Sequence, residues 1–137
     1  MPIDRLSAQA QDEVNKAKGI DGTPLKRLIA TDQNTKESAA SVAKKLADDA
    51  DVLGVIGHFG SSSSLGGAEV YEQSKLVMIS PTSTSTERSG VGKYIFRTVP
   101  SDDFTGRAIS SYLLETLKKT TTVLYTAVFR HIGGTRF

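Results

Sequence analysis

Two short apolar runs constrain this chain more than any other feature. Val52, Leu53, Val55 and Ile56 form the first, and residues 76–79 (LVMI) form the second. Both are near-continuous rather than alternating, and a helix-length segment separates them. That is the pattern of parallel strands joined by a crossover and covered on both faces. Each run delivers a polar loop: Gly57-His58-Phe59-Gly60 and then four serines after the first, Ser80-Pro81 and then Thr82 to Thr86 after the second. The C-terminal ends of parallel strands are where open α/β sheets bind ligands. The spacing therefore predicts an α/β chain: a three-layer, open, mostly parallel sheet flanked by helices.

The first loop opens a helix expected over residues 65–74, so its N–H groups and the helix dipole favour an anion. Hydroxyls from Ser61, Ser62, Thr82, Ser83 and Thr84 would add donors and acceptors without charge. Two such loops at neighbouring strand ends suit a small anionic or zwitterionic group such as a carboxylate. A plainer reading stands beside this one: residues 61–64 as an N-cap, and residues 82–86 as a turn.

GHFGSSSS, then AEVYEQSKLVMISPTSTSTE and GKYIFRTVPSDDFTG, resemble the periplasmic branched-chain amino acid binding proteins. These are the leucine/isoleucine/valine-type substrate-binding components of ABC transporters, with the type I periplasmic-binding-protein fold. The resemblance runs upstream through DEVNKAKGIDGTPLKRLIATDQN and covers about residues 10–119. It implies an amino-acid site between two α/β lobes and an ABC transporter permease as partner. By position, Ser61 would take the ligand carboxylate, Thr82 would offer a carbonyl to the ammonium, and Thr84 would add its N–H and hydroxyl. Some members have a cysteine just before the first site serine, where this chain has Gly60. Members also begin with a strand and a ligand-touching loop, whereas this chain starts inside the following helix. The resemblance thus implies an incomplete first lobe over residues 1–120. Residues 121–137 would be the start of the second lobe, or a strand that completes the sheet, with a tail from residue 130 unlike the family.

Composition narrows the function classes. A chain of 137 residues fits one domain. Its 17 basic residues are scattered among 15 acidic ones, so no basic stripe for nucleic acid is present. With no cysteine there is no disulfide, thiol catalysis or Cys-based zinc site, and two isolated histidines make a poor metal site. No cofactor is expected. MPIDRLSAQAQ lacks the apolar core of a signal peptide, so the chain as written would stay in the cytoplasm, while the resemblance implies a periplasmic parent.

Leu6, Ala10, Val14 and Ala17 recur at helical spacing over residues 4–18, with Gly19 as C-cap. Residues 25–30 read as an edge strand broken by Lys26 and Arg27. A helix over residues 36–49 would bury Ala39, Val42, Ala43 and Leu46. Residues 94–99 read as a strand, and Ser101-Asp102-Asp103 starts a last helix with Phe104, Ala108, Ile109, Tyr112, Leu113 and Leu117 on its apolar face. Residues 121–129 are rich in β-branched and aromatic residues and read as a strand. That strand could fill the place of the missing first one, within a chain or by exchange in a homodimer.

For catalysis, His58 near several serines suggests a Ser–His pair, but no orienting acid is evident and no G-x-S-x-G elbow exists. The default for His58 is a ring placed by sheet packing and bonded to backbone. No enzyme is expected. The favoured function is recognition of an aliphatic amino acid, impaired in the chain as it stands; the alternative is a phosphosugar-binding regulatory or isomerase-like domain.

Overall fold

The computed structural model describes residues 3–88, 90 and 92–119. The strand expected over residues 121–129 and the tail after it lie outside them. Helix α1 (Ile3–Lys16) comes first, then α2 (Lys36–Ala47), strand β1 (Gly54–Ile56), α3 (Ser61–Gln73), β2 (Val77–Ser80), β3 (Ile95–Arg97) and α4 (Asp102–Ser111). A 3₁₀ turn at Thr86–Arg88 sits between β2 and β3, and α4 runs on through wider π turns over Tyr112–Thr116.

The three strands form one parallel sheet in the order β1-β2-β3. Val55 pairs with Met78 and Met78 with Ile95; one step on, Ile56 pairs with Ile79 and Ile79 with Phe96. Because side chains alternate across a strand, these two rows face opposite sides of the sheet. The first row meets α3, and α2 packs on α3 in turn. Met78 and Tyr71 are fully buried there, with Ala43, Ala68, Leu76 and Ile95 around them. The second row is thinly covered. Ile56 is 64% exposed and Phe96 51%, although Leu6 and Ala10 of α1 reach this side beside Ile56 and Pro81. The expectation of strands covered on both faces therefore needs correcting. Helices flank the sheet, but among the described residues only one face is sealed.

Close approach of α2 to α3 depends on two glycines. A Cβ at Gly66 would lie 2.3 Å from the Lys36 carbonyl oxygen, and one at Gly67 would lie 2.7 Å from the ring of His58. Small residues at these positions let α3 lie against α2 on one side and the His58 ring on the other.

Two further expectations need correcting. Residues 25–30 join no ladder. Strand hydrogen bonds need a partner strand, and here the segment is tied to α1 by side chains instead. The Asn15 amide brackets Leu25, donating to its carbonyl at 2.9 Å and accepting its N–H at 2.7 Å, and Arg27 donates to the Ser7 hydroxyl. The apolar stripe of α4 buries nothing among the described residues: Phe104, Ile109, Tyr112 and Leu117 are all exposed. Its start, by contrast, is as expected. Ser101 caps it by accepting the Phe104 N–H, and Asp102 and Asp103 occupy the positive first turn.

Candidate functional site

The helix after β1 begins earlier than its apolar pattern suggests. Gly60 is the N-cap and all four serines stand inside α3, in its first turn. The plainer reading of residues 61–64 as a cap is thereby overturned. Thr35 caps α2 and Ser101 caps α4 with a side-chain oxygen, but Gly60 has no side chain to offer. A Cβ there would meet the Asn34 side-chain oxygen at 2.0 Å. The first-turn N–H groups of α3 are thus left without a side-chain acceptor, at the positive end of the helix.

The serines divide by depth. Ser63 and Ser64 are fully buried, Ser61 is half-buried and Ser62 is exposed. Ser63 donates to the Gly60 carbonyl at 3.0 Å and Ser64 to the His58 carbonyl at 3.3 Å, so both brace the turn. Ser61 meets the second loop instead. The hydroxyl of the fully buried Ser83 lies 3.2 Å from the Ser61 hydroxyl. Thr82 donates to the Phe59 carbonyl at 2.6 Å, clamping one loop to the other. The Thr84 carbonyl accepts the Asp102 N–H at 2.9 Å, which anchors the start of α4. Of the five sequence-predicted site residues, Ser61, Thr82 and Ser83 are joined in one hydroxyl-lined junction, with Thr84 at its flank. The Ser62 hydroxyl makes no hydrogen bond to a described residue.

His58 stands behind this junction, 7% exposed. Its expected backbone partners are not what hold the ring. Nδ1 lies 2.5 Å from Asp32 Oδ2 and Nε2 lies 3.1 Å from the Tyr71 hydroxyl. Sequence reasoning missed both residues. Asp32 lies 26 positions upstream of His58, in a polar loop between the residue 25–30 segment and α2. That loop has the same character as the two already singled out, so the signal was present. Tyr71 reads simply as an apolar residue of α3.

Partial burial pushes the Asp32 carboxyl upward. Hydrogen bonds from the Asn34 N–H, His58 and Ser63, with the charge of His58, outweigh it and hold the group below its ordinary value. Burial and the nearby Asp32 charge push the Tyr71 hydroxyl up to about 12. Tyr71 thus keeps its proton at neutral pH and can donate it to Nε2, while the ionised Asp32 can only accept from Nδ1–H. Two neighbouring serines, Ser64 and Ser80, bond the His58 carbonyl rather than its ring. No serine hydroxyl bonds the His58 ring, and no cluster of three metal-ligating side chains occurs among the described residues.

On the second face, an apolar depression of about 220 Å³ lies between Leu6, Ser7 and Ala10 of α1 and Ile56 and Pro81 of the strand ends.

Comparison with known proteins gives this geometry its context. The family model described as a periplasmic binding protein matches residues 7–130, well over half of the chain. The chain belongs to that family. It is 36% identical over 117 residues to an amino acid binding protein of Pseudomonas aeruginosa, covering 83% of this chain and 31% of that one. It is also 36% identical over 118 residues to the leucine-, isoleucine-, valine-, threonine- and alanine-binding protein of the same organism, covering 85% and 31%. Among solved structures, an ABC transporter substrate-binding protein from Desulfitobacterium hafniense in complex with Leu superposes with a TM-score of 0.74. It is 35% identical, and the match covers 80% of this chain and 33% of that one. The chain therefore spans about a third of the length of the relatives it matches. The family is one of solute-binding proteins, not of enzymes, and the fold is a portion of the type I periplasmic-binding-protein architecture.

Proposed function

We propose that the junction of the two hydroxyl loops is one lobe's share of a site for a branched-chain or other aliphatic amino acid. The parent would be a periplasmic substrate-binding protein that serves an ABC transporter permease. The observation that carries this reading is the uncapped start of α3. Its first-turn N–H groups, together with Ser61 and the exposed Ser62, suit a ligand carboxylate. The opposing loop supplies complementary groups. The Thr82 carbonyl takes the ammonium, and the Thr84 N–H and hydroxyl add further bonds, while Ser83 holds Ser61 in place. The names of the relatives support the ligand class.

The chain acts by binding rather than catalysis. The His58 ring is occupied by Asp32 and Tyr71, so it does not activate a serine.

Affinity of this one lobe is weak. A few charge-assisted hydrogen bonds of roughly 1.5–3 kcal/mol each face water on one side, and association has its own entropic cost. The dissociation constant should be on the order of millimolar. Saturation-transfer NMR tests the reading. Leucine should show transfer that valine competes away and glucose 6-phosphate does not, and Ser61→Ala should weaken it roughly tenfold. Competition by the phosphosugar alone would replace the amino-acid reading with a phosphate one.

A further inference from the structure

His58 is the point at which three separate elements meet. Its ring joins the loop before α2, through Asp32, to the last turn of α3, through Tyr71, which is fully buried. Its carbonyl oxygen is the acceptor on which two buried serines converge, Ser64 at 3.3 Å and Ser80 at 2.8 Å. Ser80 in turn accepts the Ser83 N–H at 3.2 Å, and the Ser83 hydroxyl meets that of Ser61. Hydrogen bonds, linked through the covalent frames of His58 and Ser83, therefore connect Asp32 through Ser80 to Ser61.

We propose that Asp32, His58 and Tyr71 are positioning residues for the hydroxyl junction: they fix the His58 carbonyl, and that carbonyl sets where Ser61 and Ser83 stand. This rests on the amino-acid reading above for its ligand arm alone. The two ring contacts divide the work. Asp32, acceptor-only when ionised, keeps a proton on Nδ1 and sets the ring plane; the Tyr71 hydroxyl engages Nε2 at 3.1 Å. With both ring nitrogens engaged the ring cannot flip. The backbone on either side of His58 is correspondingly held, so the carbonyl points at Ser64 and Ser80 rather than at solvent. Around it, Gly67 leaves no side chain to push the ring away: a Cβ there would stand 2.7 Å from Nε2 and 2.7 Å from Tyr71 Cε2. Such outer hydrogen bonds tune a site without touching the ligand, as they do behind metal-binding histidines.

The experiment compares Asp32→Ala, Asp32→Asn and Tyr71→Phe in the full chain by ¹H–¹⁵N NMR, with and without leucine. In the wild type, the His58 imidazole ¹⁵N shifts should report a proton on Nδ1, held by the Asp32 carboxylate. Asp32→Ala should change that signature, move the Ser61, Ser64, Ser80 and Ser83 amides in the ligand-free protein, and weaken leucine roughly tenfold, the factor for one lost charge-assisted bond. Asp32→Asn keeps an acceptor for Nδ1–H, so it should restore the tautomer and most of the affinity. Tyr71→Phe keeps the packing and removes only the O–H. It should shift Nε2 and the same four amides, which keeps the proposal testable should an Asp32 variant fail to fold. If Tyr71→Phe or a folded Asp32→Ala leaves those amides in place while the imidazole signature changes, the positioning role is overturned. If the amides move but leucine binds no form of the chain, the positioning role stands and the amino-acid reading fails.

Discussion

Replacing Gly66 by alanine should loosen the packing of α2 on α3, the contact on which the sealed side of the sheet depends. The added Cβ would lie 2.3 Å from the Lys36 carbonyl oxygen, 2.9 Å from its Cα and 3.0 Å from its carbonyl carbon. Ordinary contact starts at 3.4 Å, so α2 and α3 must separate by about 1 Å. The obstacle is backbone at the first residue of α2, and no rotamer change relieves it. Overpacking of this kind costs roughly 1–3 kcal/mol, while alanine gains about 1 kcal/mol over glycine in a helix. A net loss of up to about 2 kcal/mol follows. Gly106 in α4 is the internal control, because nothing stands within 4 Å of its built Cβ and only the helix-propensity gain applies. Urea unfolding followed by circular dichroism should show the Gly66→Ala midpoint lower by up to about 1 M. Gly106→Ala should leave the midpoint unchanged or raise it. A Gly66→Ala protein stabilised as much as Gly106→Ala would refute the packing argument.

Glu72 accepts the Lys93 and Tyr94 N–H groups at 2.9 Å each, and these bonds hold its carboxyl below the ordinary value. A carboxyl depressed by folding contributes stability that is complete above its unfolded value and lost as pH falls through the folded one. Acid titration should therefore move the Lys93 and Tyr94 amides together below the usual carboxylate range. Glu72→Gln should abolish that step, and its persistence would count against the assignment. Thr35 caps α2 by accepting the Ser38 N–H at 3.3 Å, so Thr35→Ala should lower unfolding stability by about 0.5–2 kcal/mol. Equal stability in urea would show that the cap contributes nothing.

The sealed half of this fold was legible because its elements are local patterns. Val55 and Met78 lie in apolar runs of strand length, and Ala39 and Ala43 recur at helical spacing, so strands and helices follow from periodicity alone. The exact start of α3 was less legible. Serine is a good cap, but Gly60 takes that place because the Asn34 side chain occupies the space a Cβ would need. That contact joins residues far apart in the chain. Residues 25–30 carry strand composition, yet a strand exists only where another strand pairs with it, and Asn15 and Ser7 hold the segment to α1 instead. The stripe on α4 is apolar by pattern, but among the described residues Phe104 and Ile109 stay exposed. In the site, Ser61, Thr82 and Ser83 could be found from their place after strands. Asp32 stands in a polar loop of the same character, but its pairing with His58 could not be read, since only the fold brings a loop residue and a strand-end histidine together.

The most direct measurement of the central claim is an amide NMR titration of this chain with leucine, valine and glucose 6-phosphate. Leucine and valine should shift amides at residues 61–64 and 82–84, saturating on the order of millimolar, and leave Lys93 and Phe104 unmoved. A response to the phosphosugar alone, or none at these residues up to the solubility limit of leucine, would contradict the reading of the hydroxyl junction as an amino-acid site.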